Sequence, residues 1–376
     1  MSISINHAGR RVDFDFTSIS DSKLRLLVQQ AAKKLYGYFL PSTSNEPFVT
    51  ICFTDHIKDY IDIKSEECIQ SETATMNSHQ ALVGGHGDHI LYDYEEGYLR
   101  RIFFEVMMPS KFANEKKRAT SRAFLSVVEE KVNSFYTRGY LCGMQQVNIE
   151  QGMSYMHACS FAIGEDAYVV AATPGAGKSS LLLSLCFSGD VQADFISDDF
   201  SLISKDAHAH QIGRAMAIKS HQLQYFPGLE GKLQGMSQMQ RLQWFLLKQK
   251  GLKRLASPEE LFGERIVTDK PIRRVFYLTN HNLSTFVHEE MSISDFAELN
   301  ANMLFSELYL GMEIRNHALI LPGHKNVMRV NDFIERSQAN IEKCLENVPC
   351  TLVKVPFRSD PRELLRYLLN QELIAN

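Results

Sequence analysis

A single tryptophan, eleven prolines and seven cysteines in 376 residues leave several architectures without material. Proline is too sparse for a proline-rich linker protein, and no low-complexity tract or internal repeat is present. The cysteines (52, 68, 142, 159, 186, 344 and 350) are odd in number and scattered, with no C-x-x-C pair. That excludes a disulfide framework and the usual zinc spacings. Cys52 and Cys186 sit in the apolar stretches 48–53 and 181–187, so reduced, buried thiols are expected. No apolar run approaches the ~20 residues that span a bilayer. The opening Met-Ser-Ile-Ser-Ile-Asn-His-Ala-Gly-Arg-Arg lacks the apolar core of a secretory signal, and with the free thiols it predicts a cytoplasmic address. There is no excess of positive charge: 40 Lys and Arg against 44 Asp and Glu give −4, so nothing in the overall balance suggests a nucleic-acid or membrane partner. No G-x-S-x-G elbow supports serine-hydrolase chemistry.

What is present is an ordinary globular composition, 44% hydrophobic and 22% charged, in a chain long enough to build a core without staples. The pattern divides near residue 150. Residues 1–150 read as mixed α+β. Apolar residues at helical spacing predict helices over 21–40 and 113–140, strands are expected at 47–53 and 98–107, and the polar, glycine-bearing 71–87 reads as loop. Residues 151–376 read as an α/β domain. Strands at 160–163 and 167–171 lead to an apolar helix from 181, and 194–196 is a further strand. Residues 201–204 and 211–218 read as a hairpin, and 238–255 as a helix. Strands at 274–278 and 284–287, helices at 295–310 and 330–345, a strand at 351–355 and a helix at 361–373 follow.

Between the second strand and the apolar helix stands Thr173-Pro174-Gly175-Ala176-Gly177-Lys178-Ser179-Ser180. A phosphate needs several amide N–H groups converging on it, and a glycine turn that opens a helix supplies them together with the positive end of the helix dipole. Lys178 can bridge the β- and γ-phosphates of a nucleotide, and the Ser179 hydroxyl can ligate Mg²⁺. The full phosphate-loop pattern has one more glycine, at the position Ala172 occupies here. One helix and one strand further on, Asp198-Asp199 ends a short strand. Two adjacent carboxylates there can divide two tasks, holding the metal and accepting a proton from an attacking hydroxyl.

These residues carry a family resemblance. From Met156-His157-Ala158 through the strand pair, Gly175-Ala176-Gly177-Lys178-Ser179, the apolar helix and Asp198-Asp199, the chain resembles the C-terminal domain of HPr kinase/phosphorylase and its relatives. His157 precedes Lys178 at that family's spacing. More loosely, Gly213-Arg214-Ala215-Met216-Ala217-Ile218-Lys219 resembles the family's P-R-P-x-x-L-K strand, and 354–373 its closing strand and helix. The resemblance implies a phosphoenolpyruvate-carboxykinase-like nucleotide fold, ATP and Mg²⁺ as cofactors, and a homo-oligomer. It implies that His157 lies beside the phosphates or the acceptor, that Asp198 takes the proton, that Ser179 and Asp199 face the metal, and that Arg214 or Lys219 clamps the transferring phosphoryl group. The glutamate–arginine–glycine signature that follows the Asp pair in enzymes acting on HPr is absent. The resemblance therefore implies a serine-kinase relative acting on a hydroxyl of another protein, a peptide or a small molecule. A nucleotide-hydrolysing switch and a non-catalytic nucleotide sensor are the alternatives.

Weaker constellations read as structure. His86-Gly87-Asp88-His89, with Asp93, has metal-ligand residue types but no second cluster, so a solvated loop is expected. His208 and His210 are expected exposed in a turn, and Lys248, Lys250, Lys253 and Arg254 beside Trp244 and Phe245 as a solvated helix face.

Overall fold

The computed structural model describes residues 2–36, 47–62, 69–70, 74–85, 88–106, 126–187, 189, 191–212, 214–232, 238, 242, 253–319 and 330–374. The chain is α/β and divides into two compact units. The first comprises 1–116, 125–152 and 301–337, and the second 117–124, 153–300 and 338–376.

The first unit is built on one sheet. Its strands are β1 (Ile3–His7), β2 (Arg10–Asp15), β3 (Pro47–Thr54), β4 (Ile69–Gln70), β5 (Ala74–Met76), β6 (Gln80–Gly85), β7 (Asp88–Glu95) and β8 (Tyr98–Glu105), in the order β1-β2-β3-β8-β7-β6-β5-β4. β3 runs parallel to both β2 and β8, and the other pairs are antiparallel. Helix α1 (Ser22–Tyr36) buries Leu24, Val28, Ala31 and Leu35, a single stripe at helical spacing. Asp21 starts it by accepting from the amides of Lys23 and Leu24. Helix α2 (Val127–Phe135) passes through a π-helical turn, Tyr136–Leu141, into α3 (Cys142–Glu150). The core between is aromatic: Phe14 stacks on Tyr36, Tyr36 on Tyr136, and Phe53 meets Phe104 and Phe135 edge-on. The segment 71–87, expected as loop, instead contributes β5 and β6. Its polar residues alternate with buried Ala74, Met76, Ala81 and Val83, a half-buried strand pattern that the glycines masked.

In the second unit the strands are β9 (Ser154–Met156), β10 (Ala158–Ile163), β11 (Asp166–Ala172), β12 (Asp194–Ser197), β13 (Ser201–Ile203), β14 (His208–His210), β15 (Met216–Lys219), β16 (Lys253–Ala256), β17 (Asp269–His281), β18 (Val287–Glu290) and β19 (Cys350–Pro356). The main sheet runs β12-β10-β11-β17-β14-β13-β9, with β19 on β17 and β18 on β19. β11, β17 and β19 are parallel. β10 is buried throughout and β11 from Ala167 onward, as central strands covered on both faces must be. Helix α4 (Lys178–Phe187) buries Leu181, Leu182, Leu183 and Leu185 against this sheet. Further along the chain come α5 (Ile293–Leu319) and α6 (Val330–Cys344), whose residues 301–319 and 330–337 belong to the first unit, and then α7 (Pro361–Asn370). Leu364, Leu365 and Leu368 of α7 join the same core as α4.

Two expectations are corrected here. The hairpin is β13 with β14, turning at 204–207, whereas β15 pairs with β16. Residues 253–255, expected to be helical, lie in that β16 strand; most of 238–252 lies outside the described residues, including Lys248, Lys250, Trp244 and Phe245. The cysteines of the described residues are free and buried. Among the described residues no helix is long and apolar enough to cross a membrane.

Candidate phosphate-binding site

The glycine loop follows β11, where a parallel sheet leaves a crevice at the carboxyl ends of its strands. Its first residue is tied to the neighbouring strand, with the Thr173 amide donating to the Leu278 carbonyl at 3.0 Å. The Ala176 amide turns back to the Thr173 carbonyl at 3.1 Å, and the Leu181 amide reaches Gly177 at 2.8 Å, which starts α4. Gly175 and Gly177 have φ of +85° and +105°, a backbone that side-chain-bearing residues rarely adopt. The loop is thus a left-handed turn running into a helix N-terminus. Pro174, Gly175 and Ser180 are accessible or half-buried there, while Ala176 faces the core. Ala172, in place of the outer glycine of the full pattern, is a buried strand residue with ordinary backbone.

The Asp pair faces this loop. The Ser179 hydroxyl donates to Asp198 Oδ1 at 3.1 Å, and Lys178 Nζ donates to the Asp199 carbonyl at 3.3 Å. Asp199 turns the other way: Arg214 NH1 lies 2.5 Å from its Oδ2 and His157 Nε2 lies 3.4 Å from its Oδ1. Asp199 has φ of +70°, which aspartate tolerates better than most residues. That twist sends two consecutive carboxylates to different partners.

The two carboxylates differ in proton affinity. Burial, and then the neighbouring Asp199 charge, push Asp198 above the usual carboxylate range, against the pull of Lys178 and Ser179. Burial acts on Asp199 as well, but the hydrogen bond from His157 and the charges of Arg214 and Lys178 outweigh it and hold Asp199 well below that range.

The turn is braced from beneath by hydroxyls. Ser160, Ser197 and Ser201 are fully buried and mutually bonded, with Ser160 to Ser197 at 2.6 Å and Ser197 to Ser201 at 2.9 Å. Ser201 also donates to the Ala158 carbonyl at 3.2 Å. These bonds join β10, β12 and β13 around Asp198-Asp199. Met156 of β9 lies opposite Ser201 of β13, so His157 leaves β9 beside the turn and packs on Phe200 with ring centres 5.7 Å apart.

Thr173 through Ser180, His157, Asp198, Asp199 and Arg214 are therefore brought together. Lys219 is not. Its side chain is exposed, and its backbone amide donates to Gln222 Oε1, whose Nε2 in turn donates to the Ser180 hydroxyl at 3.2 Å. Sequence reasoning missed Gln222 and the three buried serines, because no local pattern marks a hydroxyl that bonds across strands. His210, expected exposed, is half-buried with Nε2 2.8 Å from the Ser204 hydroxyl, and burial lowers its proton affinity. His208 pairs with Asp269 at 3.0 Å. His86 and Gly87 lie outside the described residues, and His89 contacts Glu105 at 2.7 Å.

An Mg²⁺ ion suits the donors at the loop. It takes oxygen ligands, one or two carboxylates with phosphates and water, and the Ser179 hydroxyl beside a buried carboxylate is such a set. Among the described residues no group of three or more His, Cys, Asp and Glu side chains forms a cage for a softer metal.

No family model matches the chain, and no curated protein matches it. Among solved structures it is similar to the HPr(Ser) kinase/phosphatase from Coxiella burnetii, at 12% identity and a TM-score of 0.29, over 58% of this chain and 97% of that one.

Proposed function

We propose that the second unit is an ATP-dependent phosphotransferase that moves the γ-phosphate to a hydroxyl, with a serine of a protein or peptide as the leading acceptor class and a small-molecule alcohol as the other. The observation that carries this reading is the meeting of Ser179 with Asp198 and of Asp199 with His157 and Arg214 at the mouth of a glycine loop that opens a helix. In this reading the loop amides and Lys178 hold the β- and γ-phosphates. Ser179 and Asp199 would hold Mg²⁺, which would supply charge to the phosphate oxygens when bound. Asp198 accepts the hydroxyl proton, since its raised proton affinity brings it closer to the working pH than an ordinary carboxylate. Asp199 is a poor base because three neighbours favour its ionised form. It instead orients Arg214 and His157 toward the transferring group.

A second allotment of roles has one observation in its favour. The Ser179 hydroxyl touches Asp198 rather than Asp199, which puts Asp198 on the metal side and leaves Asp199 facing the acceptor. Asp198→Asn and Asp199→Asn separate the two. Loss of transfer with unchanged Mg²⁺ dependence marks the base, and a raised Mg²⁺ requirement marks the ligand.

The test of the activity is incubation with γ-labelled ATP, Mg²⁺ and a lysate of the source organism, wild type against Lys178→Ala and Asp198→Ala. Label on a protein or metabolite that appears only with wild type is the expected result. Label released only as phosphate would make the protein an ATPase, and tight Mg-ATP binding without turnover would make it a nucleotide sensor.

A further inference from the structure

One face of α4 leads away from the phosphate loop. Ser180, Ser184 and Phe187 follow one another at four- and three-residue steps and so form a stripe along the helix. The Ser180 hydroxyl receives the Gln222 amide, and the Ser184 hydroxyl donates to the Ser180 carbonyl at 3.0 Å. The stripe ends in a pocket of about 370 Å³ within the second unit. Its walls include Phe187, Tyr225, Phe226, Pro227, Arg362 and Arg366.

The pocket's chemistry is that of a planar ring site. Phe187 and Phe226 stack with ring centres 5.8 Å apart and supply an aromatic wall. Arg362 and Arg366 stand one turn apart on α7 and add two cationic side chains to the lining. Arg362 is held by Asp360, with NH2 2.5 Å from Oδ2, whereas Arg366 forms no ion pair among the described residues. The volume lies at the lower end of small-molecule sites, about 300–1,000 Å³, which fits a ring with its sugar better than a larger cofactor. The distance fits as well. Ser184 is six residues beyond Lys178, about 9 Å along the helix, which is the reach of an α-phosphate and a ribose. The same two helices frame both places. Leu364 of α7 stands 4.0 Å from where a side chain on Gly177 would begin, and Leu365, the next residue, lines the pocket.

We propose that this pocket takes the base of a nucleoside triphosphate whose phosphates lie on the glycine loop, with the base between the aromatic wall and Arg366. This rests on the phosphate-loop reading and adds to it a ring-recognition subsite. The two are separated by comparing ATP with inorganic tripolyphosphate, which carries the phosphates and no ring. Affinities of both, with Mg²⁺, are measured by calorimetry on the full chain for wild type, Arg366→Ala, Tyr225→Ala and Lys178→Ala. Arg366 is on the surface, so its truncation leaves the core intact, and thermal unfolding checks Tyr225→Ala. The expected result is that Arg366→Ala and Tyr225→Ala each weaken ATP about tenfold and leave tripolyphosphate unchanged, while Lys178→Ala weakens both. Unchanged ATP affinity in both pocket variants, or an equal loss for the two ligands, overturns the subsite while leaving the phosphate loop standing. Failure of the wild type to bind either ligand overturns the phosphate loop itself and the subsite with it.

Discussion

The first unit buries Asp93, Glu105 and Asp13, and each has its own partner: Arg101 at 2.6 Å, His89 at 2.7 Å and Arg11 at 2.8 Å. Its deeper polar groups bond to one another: Gln145 donates to the Ser337 hydroxyl at 3.1 Å, and His7 meets Asn148 at 3.0 Å and the Tyr140 hydroxyl at 3.2 Å. The second unit places two carboxylates side by side in the chain and shares Lys178, Arg214 and His157 unequally between them. Matched pairs hold a structure together and ask nothing further. A buried carboxylate kept above its ordinary proton affinity is costly, and such groups concentrate where chemistry is done.

The sharpest way to break that contrast is to remove the cation common to both carboxylates. On the proposed phosphotransferase reading, Lys178→Ala should lower phosphoryl transfer about 10³-fold or more, read as initial rate with saturating acceptor, because Lys178 is the cation assigned to the β- and γ-phosphates. Retained transfer would place Lys178 among the merely structural cations.

Asp198→Asn should lower the rate about 10²-fold to 10³-fold. It also tests the electrostatics. A base must be ionised, so the wild-type rate should fall as pH drops through the raised Asp198 value, at higher pH than an ordinary carboxylate would dictate. For stability the sign is opposite. A folded-state value above the unfolded one favours the fold at acid pH, and that contribution is lost as pH rises through the folded value. At neutral pH Asp198 therefore costs stability, and Asp198→Asn should raise the melting temperature while it removes activity. A lower melting temperature would show that Asp198 is a matched structural carboxylate like Asp93.

In the first unit the largest effect should come from packing. A side chain on Gly139 would overlap the Phe135 ring, which is fixed between Phe53 and Phe104. Gly139→Ala should destabilise that unit by about 2–3 kcal/mol in denaturant unfolding and leave ATP affinity unchanged. The smallest effect should come from Ser126, which caps α2 by accepting from the Glu129 amide at 3.3 Å. Ser126→Ala should cost about 1 kcal/mol by the same measurement.

The parts legible in the sequence were those where local chemistry and final position coincide. A glycine turn between an apolar strand and an apolar helix reads the same in either form, and so does an Asp pair at a strand end. His157 was legible only through its spacing, because what makes it part of the site is the register of β9 on β13. The hairpin was misread because 211–218 has strand character without a local partner. Its last residues pair with 253–256, across a long excursion that no periodicity reveals. Lys219 shares a strand-like stretch with Arg214, and nothing in that stretch tells that it is Arg214 that meets Asp199 while the Lys219 amide is taken by Gln222.

The tie between Thr173 and Leu278 spans 105 residues, and the register of β11 on β17 extends the same long-range dependence along the whole strand. It sets a schedule for the newborn chain. The glycine loop leaves the ribosome with its strand still lacking a neighbour on one side. At about 5–20 residues per second, roughly 5–20 seconds pass before β17 has been made, and β19 arrives later still. During translation the loop has its residues but not its anchor, so the nascent protein should acquire its grip on a triphosphate only after most of its length has been synthesised.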